Sequence, residues 1–138
     1  MKKHLLALTI TIIIVLVALI IYFAPKFMLD KEMQKVAKVK ANNAIFTARV
    51  IEEYSKNTKI KASELAQKIV EEMNKITINP YNKKNKAYTY ENECKSCNSV
   101  NFDDTTQTIT LTSYNKKGEL IARSVIKPPS FVTYSKFD

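Results

Sequence analysis

Apolar and polar residues follow three different rhythms along this chain, and each rhythm predicts a different kind of element. The first is an unbroken apolar run. Leu5 to Ala24 (LLALTITIIIVLVALIIYFA) carries no charge, and roughly 20 such residues at 1.5 Å of rise each match the ~30 Å hydrocarbon core of a bilayer. A secretory signal has a shorter apolar region with small residues at its cleavage point. This run instead leads into Tyr22, Phe23, Ala24, Pro25 and Lys26, so residues 1–24 are read as a retained membrane anchor. Tyr22 and Phe23 fall where aromatic rings favour the headgroup zone.

The second rhythm is helical. At 100° per residue Val36, Val39, Phe46, Val50, Ile51 and Tyr54 share one arc, and Ala37, Ala41, Ala44 and Ala48 form an adjoining stripe. Lys31, Gln34, Lys35, Lys38, Asn42, Arg49, Glu52 and Glu53 fill the opposite side. The pattern predicts an amphipathic helix over 26–56 that continues the anchor, with Pro25 bending rather than ending the rod; two helices separated at Pro25 are the alternative. A second helix is expected over 62–77, with Leu65, Ile69, Met73 and Ile76 as its stripe and Ser63 as a candidate cap. Asn79 and Pro80 then open a polar loop over 79–98.

The third rhythm, period two, fills the last third. Val100 and Phe102 alternate, Ile109 and Leu111 stand against Thr108, Thr110 and Thr112, and Leu120, Ala122 and Ile126 share a face of the returning strand. Between them Asn115 to Gly118 reads as a four-residue hairpin loop, with the chain's only glycine where a positive φ is needed. Pro128 and Pro129 stop the strand, and Phe131 to Tyr134 is expected as an edge strand. The expected class is α+β: a long N-terminal helix laid on a small antiparallel sheet over 99–134, with 25–138 forming one head.

Composition adds charge. The 138 residues hold 22 Lys and Arg against 13 Asp and Glu, a net charge of +9. Scattered lysines of this kind describe a solvated surface with attraction for polyanions or anionic lipid. Lys2 and Lys3 precede the apolar run, and Lys26, Lys31, Lys35, Lys38 and Lys40 follow it; counted mechanically, these would keep the head in the cytoplasm. The two cysteines point the other way. Cys94 and Cys97 form a C-x-x-C in which a short structural disulfide suits an exported domain, with free thiols or a redox or metal role as alternatives. A structural zinc would want four ligands, and the single His4 sits beside the anchor.

The order of these parts resembles the type IV pilin and pseudopilin family: a short basic leader, an apolar helix, Pro25, then KVAKVKANNAIFTARVIEEYSKN. Val39 to Tyr54 is the most specific stretch, Asn79, Pro80 and Tyr81 are similar to the family's loop between helix and sheet, and LTSYNKKGELI is similar to its hairpin. Three positions depart from the family. With Pro25 as register, Lys3 and His4 stand where the family's leader glycine meets a phenylalanine, and Leu8 stands where it has a glutamate. The resemblance implies a pilin-like head outside the cytoplasmic (inner) membrane, held by a single span, and assembly with other pilin-like subunits through the N-terminal helix. In the implied role the chain is a structural, minor subunit of a pilus-like or pseudopilus filament serving secretion, adhesion, motility or DNA uptake.

The residues implied in helix packing are Leu8, Pro25, Val36, Ala37, Val39, Ala41, Ala44, Phe46, Ala48 and Val50. Alanines allow close backbone approach, although the stripe could equally dock on the chain's own sheet. A second reading is a polyanion- or DNA-binding module, because Lys83, Lys84 and Lys86 interleave with Tyr81, Tyr88 and Tyr90 as charge and stacking groups do in single-strand binders. A third is a single-pass scaffold that never polymerises. Nothing gathers for catalysis: no Gly-rich phosphate loop occurs, and the carboxylates do not cluster with a nucleophile. No cofactor or small-molecule substrate is expected. Asp103 and Asp104 with Glu91 or Glu93 offer oxygens to calcium, but adjacent acids before a strand more commonly form a solvated turn.

Overall fold

The computed structural model describes residues 2–92 and 94–135, with side chains for all of these except 24–30. It is an α+β chain: α1 (Lys2–Lys56), α2 (Ala62–Ile76), and strands β1 (Tyr88–Thr89), β2 (Asn98–Asp103), β3 (Thr108–Tyr114), β4 (Leu120–Lys127) and β5 (Ser130–Ser135). Helical backbone continues through Pro25 without the interruption that the two-helix alternative required. The chain divides into two compact units, Met1–Gln34 and Lys35–Asp138.

In the first unit, Lys2–Phe23 is long and apolar enough to cross a membrane, and none of it is buried. Leu8 is one of its exposed residues. Thr9 and Thr11 donate their hydroxyls back to the carbonyls of Leu5 and Ala7, both at 2.9 Å. An otherwise apolar helix thereby carries hydroxyls without leaving their donors unpaired.

The second unit is the head. Its sheet runs in the order β1-β2-β3-β4-β5. The sequence pattern predicts a purely antiparallel sheet, but β1 pairs parallel with β2 through Tyr88↔Asn98 and Thr89↔Ser99, so the sheet is mixed. Two residues are too few to show a period, and their pairing is imposed by α2: Asn74 donates to the Tyr88 carbonyl at 3.0 Å and accepts the Tyr88 amide at 2.8 Å.

One face of the sheet lies under α2 and the Lys35–Lys56 part of α1. Phe46 and Val50 from α1, Leu65, Ile69 and Met73 from α2, and Val100, Ile109, Leu111 and Ile126 from the sheet make the main core. A smaller cluster joins Val36 and Val39 to Tyr81, Ile121 and Ala122. Ile121 and Ala122 are adjacent yet both buried, because the β3–β4 register skips between Ser113 and Tyr114. This bulge turns two consecutive residues inward. It leaves Leu120, expected on the core face, half exposed.

Two further expectations need correction. Ile76 is exposed rather than part of the α2 stripe: it is the last residue of the helix, and the buried stripe ends one turn earlier at Met73. Ser63 does not cap α2. Instead the β2–β3 turn supplies the caps: Gln107 Oε1 accepts the Ala62 amide and Asp104 Oδ1 the Ser63 amide, both at 2.8 Å. Gly118 has φ +80°, as the hairpin required.

Candidate functional site

α1 presents two different sides to its surroundings within the head. Val36, Val39, Phe46 and Val50 are buried, together with the polar Asn43 and Thr47. Thr47 donates to the Asn43 carbonyl at 2.8 Å. Asn43 Nδ2 donates to Ser113 Oγ at 2.9 Å, and its Oδ1 accepts the Tyr88 hydroxyl at 3.0 Å. One buried amide thus ties the helix to β3 and β1 at once. The alanine stripe lies elsewhere: Ala37, Ala41, Ala44 and Ala48 are exposed, and so is Ile45. The stripe is therefore not spent on docking α1 to its own sheet.

Beside the stripe runs a cavity of about 460 Å³, with Ala44, Ala48 and Ile51 on the α1 side and Ala122, Phe131 and Thr133 on the β4–β5 side. It exists because α1 lies over the middle of the sheet and leaves the inner face of β5 uncovered. Phe131 is 54% exposed as a result. Small residues on one wall and a ring on the other make a concave apolar strip that a helix can approach closely. Pro25, expected to take part in assembly, has a side chain outside the described ones.

The loop after α2 is built around another asparagine. Asn79 is buried; its Oδ1 accepts the amides of Tyr81 at 2.9 Å and Asn82 at 3.2 Å, and its Nδ2 donates to the carbonyls of Lys86 at 3.2 Å and Ser96 at 2.6 Å. Cys94 and Cys97 are 6.0 Å apart at Cα, within disulfide reach, and their sulfurs are bonded. Their loop is held to the hairpin by Ser96 N–H donating to Asn115 O and Tyr114 N–H to Cys97 O, both at 2.9 Å.

Of the three tyrosines that alternate with the lysines of this loop, two are buried and only Tyr90 is exposed, edge-on to Phe102 with ring centroids 6.3 Å apart. Lys83, Lys84 and Lys86 are exposed as expected, but Tyr88 is fully buried against Phe46, its ring centroid 4.9 Å away. Burial also pushes its phenol well above the usual range. Tyr81 is buried too, with Lys35 Nζ 5.6 Å from its ring centroid. Tyr88 is thus a core residue rather than a polyanion contact, because the two Asn74 bonds fix its backbone with the ring inward.

The acidic pair is occupied locally. Asp104 accepts from the amide and hydroxyl of Ser63, and the first of these bonds is the main reason its carboxyl sits below its ordinary pKa. Asp103 accepts the amides of Thr105 and Thr106. Glu93 lies outside the described residues, and among those described no cluster of three or more metal-ligating side chains occurs.

Asn43, Asn74 and Asn79 escape a reading based on period, since polar residues are assigned to the outside by default. Asn43 alone leaves a trace, as a polar position flanked on its helical arc by Val39 and Phe46. Compared with protein-family models, curated proteins and solved structures, the chain matches none of them.

Proposed function

We propose that this chain is a pilin-like subunit of a type IV pilus-like or pseudopilus filament, held by a single N-terminal span with its head outside the cytoplasmic membrane. The observation that carries the reading is the division of α1. One side is committed to the head's core, while Ala37, Ala41, Ala44 and Ala48 stay exposed on a helix that begins as the apolar, unburied Lys2–Phe23 segment. A filament subunit needs this combination: a lipid-compatible helix to reside in the membrane before assembly, and a small-residue surface for packing on copies of itself. A contact of that kind joins different surfaces on neighbouring subunits and propagates as an open helix. The departures at Lys3 and Leu8 are the feature that favours the alternative, a single-pass scaffold that never polymerises.

The test is a double change, Ala41→Leu with Ala44→Leu, in the full chain expressed in its native membrane. Both side chains are exposed, so the head keeps its fold. Recovery of the chain in sheared or pelleted filaments is expected to fall at least tenfold while its level in the membrane is unchanged. Undiminished recovery would remove the stripe from the interface. A wild-type chain found only as a membrane monomer would favour the non-polymerising scaffold.

A further inference from the structure

We propose that the end of the head into which α1 leads is a docking surface for anionic lipid headgroups. Six exposed lysines, Lys83, Lys84, Lys86, Lys95, Lys116 and Lys117, come from three loops far apart in sequence. The structure joins those loops. Asn79 holds the first to the disulfide loop through Lys86 O and Ser96 O, and Ser96 N–H holds the disulfide loop to the hairpin at Asn115. The Lys95 side chain lies along Gly118, its Cγ 3.4 Å from where a Cβ would stand.

This patch is at the α1 entrance because Tyr81, which opens the first loop, packs with Val36, Val39 and Ile121 and lies beside Lys35. It is therefore the end of the head that the chain reaches after its apolar segment. Charge is distributed unequally over the head. Carboxylates concentrate on the C-terminal part of α1, on α2 and on the β2–β3 turn, where Glu72 pairs with Arg49, Glu53 with Lys68 and Lys56, and Glu71 with Lys75. Among the described residues none of the six lysines has an ion-pair partner, and the acids on the same loops are Glu91, Glu93 and Glu119.

Ligand chemistry follows from what the patch contains and lacks. Compact ammonium groups without arginine forks suit a diffuse anionic surface better than one fixed phosphate. Of the three rings that could stack on bases, Tyr81 and Tyr88 are buried, and the exposed Tyr90 stands edge-on to Phe102 beside Gln67 of α2 rather than among the six lysines, which disfavours single-stranded nucleic acid. A tethered head carrying this patch would rest on an anionic bilayer and be released by salt or by a competing surface. The inference needs the membrane span and does not need the filament.

The test uses the full chain in vesicles of phosphatidylcholine with or without phosphatidylglycerol, incorporation being verified separately by flotation. A fluorophore on Asn85→Cys reports energy transfer to acceptor-labelled headgroups, and one on Thr105→Cys reports the opposite end of the head. Transfer from position 85, but not 105, is expected to rise with phosphatidylglycerol and to collapse at high salt. Changing Lys83, Lys84, Lys116 and Lys117 to Gln is expected to weaken docking about fivefold per lysine. Equal transfer in neutral and anionic vesicles would overturn the proposal. So would a chain that ignores phosphatidylglycerol but binds duplex DNA at the same lysines.

Discussion

At the scale of single residues, the head depends on a few polar side chains placed where apolar ones would be expected. Tyr88 O–H, Asn43 and Ser113 form a buried chain of hydrogen bonds. Tyr88→Phe leaves the Asn43 oxygen without its donor, so denaturant unfolding of the head is expected to show a loss of about 1–3 kcal/mol. The same residue predicts a pH effect. Burial raises the Tyr88 pKa in the folded chain, so the folded state holds its proton more tightly than the unfolded state. Stability from this group is complete below the unfolded value of about 10 and declines as pH rises above it. Tyr88→Phe is expected to flatten that alkaline decline; an unchanged slope in a pH series of unfolding curves would contradict it. The sequence places Tyr88 among loop tyrosines and lysines, where a two-residue alternation exposes it. What fixes it inward is Asn74, fourteen positions away, and a periodicity carries no such information.

At the scale of elements, the strong periods translate directly into structure and the short or irregular ones do not. The apolar run, the arc of α1, the α2 stripe and the β3–β4 hairpin with Gly118 were all legible, because each repeats its signal over several residues. Three features were not: the two-residue parallel β1, the bulge that buries Ile121 beside Ala122, and the α2 cap supplied by Asp104 and Gln107. Each depends on a partner distant in sequence. Phe46 lies fully buried where α1, α2 and the sheet meet, and Phe46→Ala is expected to destabilise the head by about 3–5 kcal/mol in denaturant unfolding. The α2 cap gives an acid-side prediction. Hydrogen bonds from Ser63 lower the folded pKa of Asp104, so the cap is intact above the ordinary carboxylate pKa and weakens as pH falls through the lowered value. Amide exchange at Ser63, whose acceptor is Asp104, should accelerate over that acid range relative to Ala62, whose acceptor is Gln107, and Asp104→Asn should reduce the difference.

At the scale of the whole molecule, the sequence made the apolar segment, long enough to cross a membrane, and the surplus of lysine visible. It could not show that the lysines of three loops share one end of the head, since hydrogen bonds from Asn79 and Ser96 bring them together. The alanine stripe was legible as a stripe, but whether it faced the sheet or solvent depended on how α1 lies on the head, which no local pattern records. Val36, Val39, Phe46 and Val50 supply the internal contact, and the stripe stays exposed. The central claim of the proposed function is that α1 joins subunits through this stripe. The most direct measurement is crosslinking of the full chain carrying Ala44→Cys in its native membrane with a short bis-maleimide, with Lys68→Cys as a comparison on α2. The account predicts dimers and higher adducts from position 44 at several times the yield from position 68; monomers alone from position 44, with equal labelling at both sites, would contradict it.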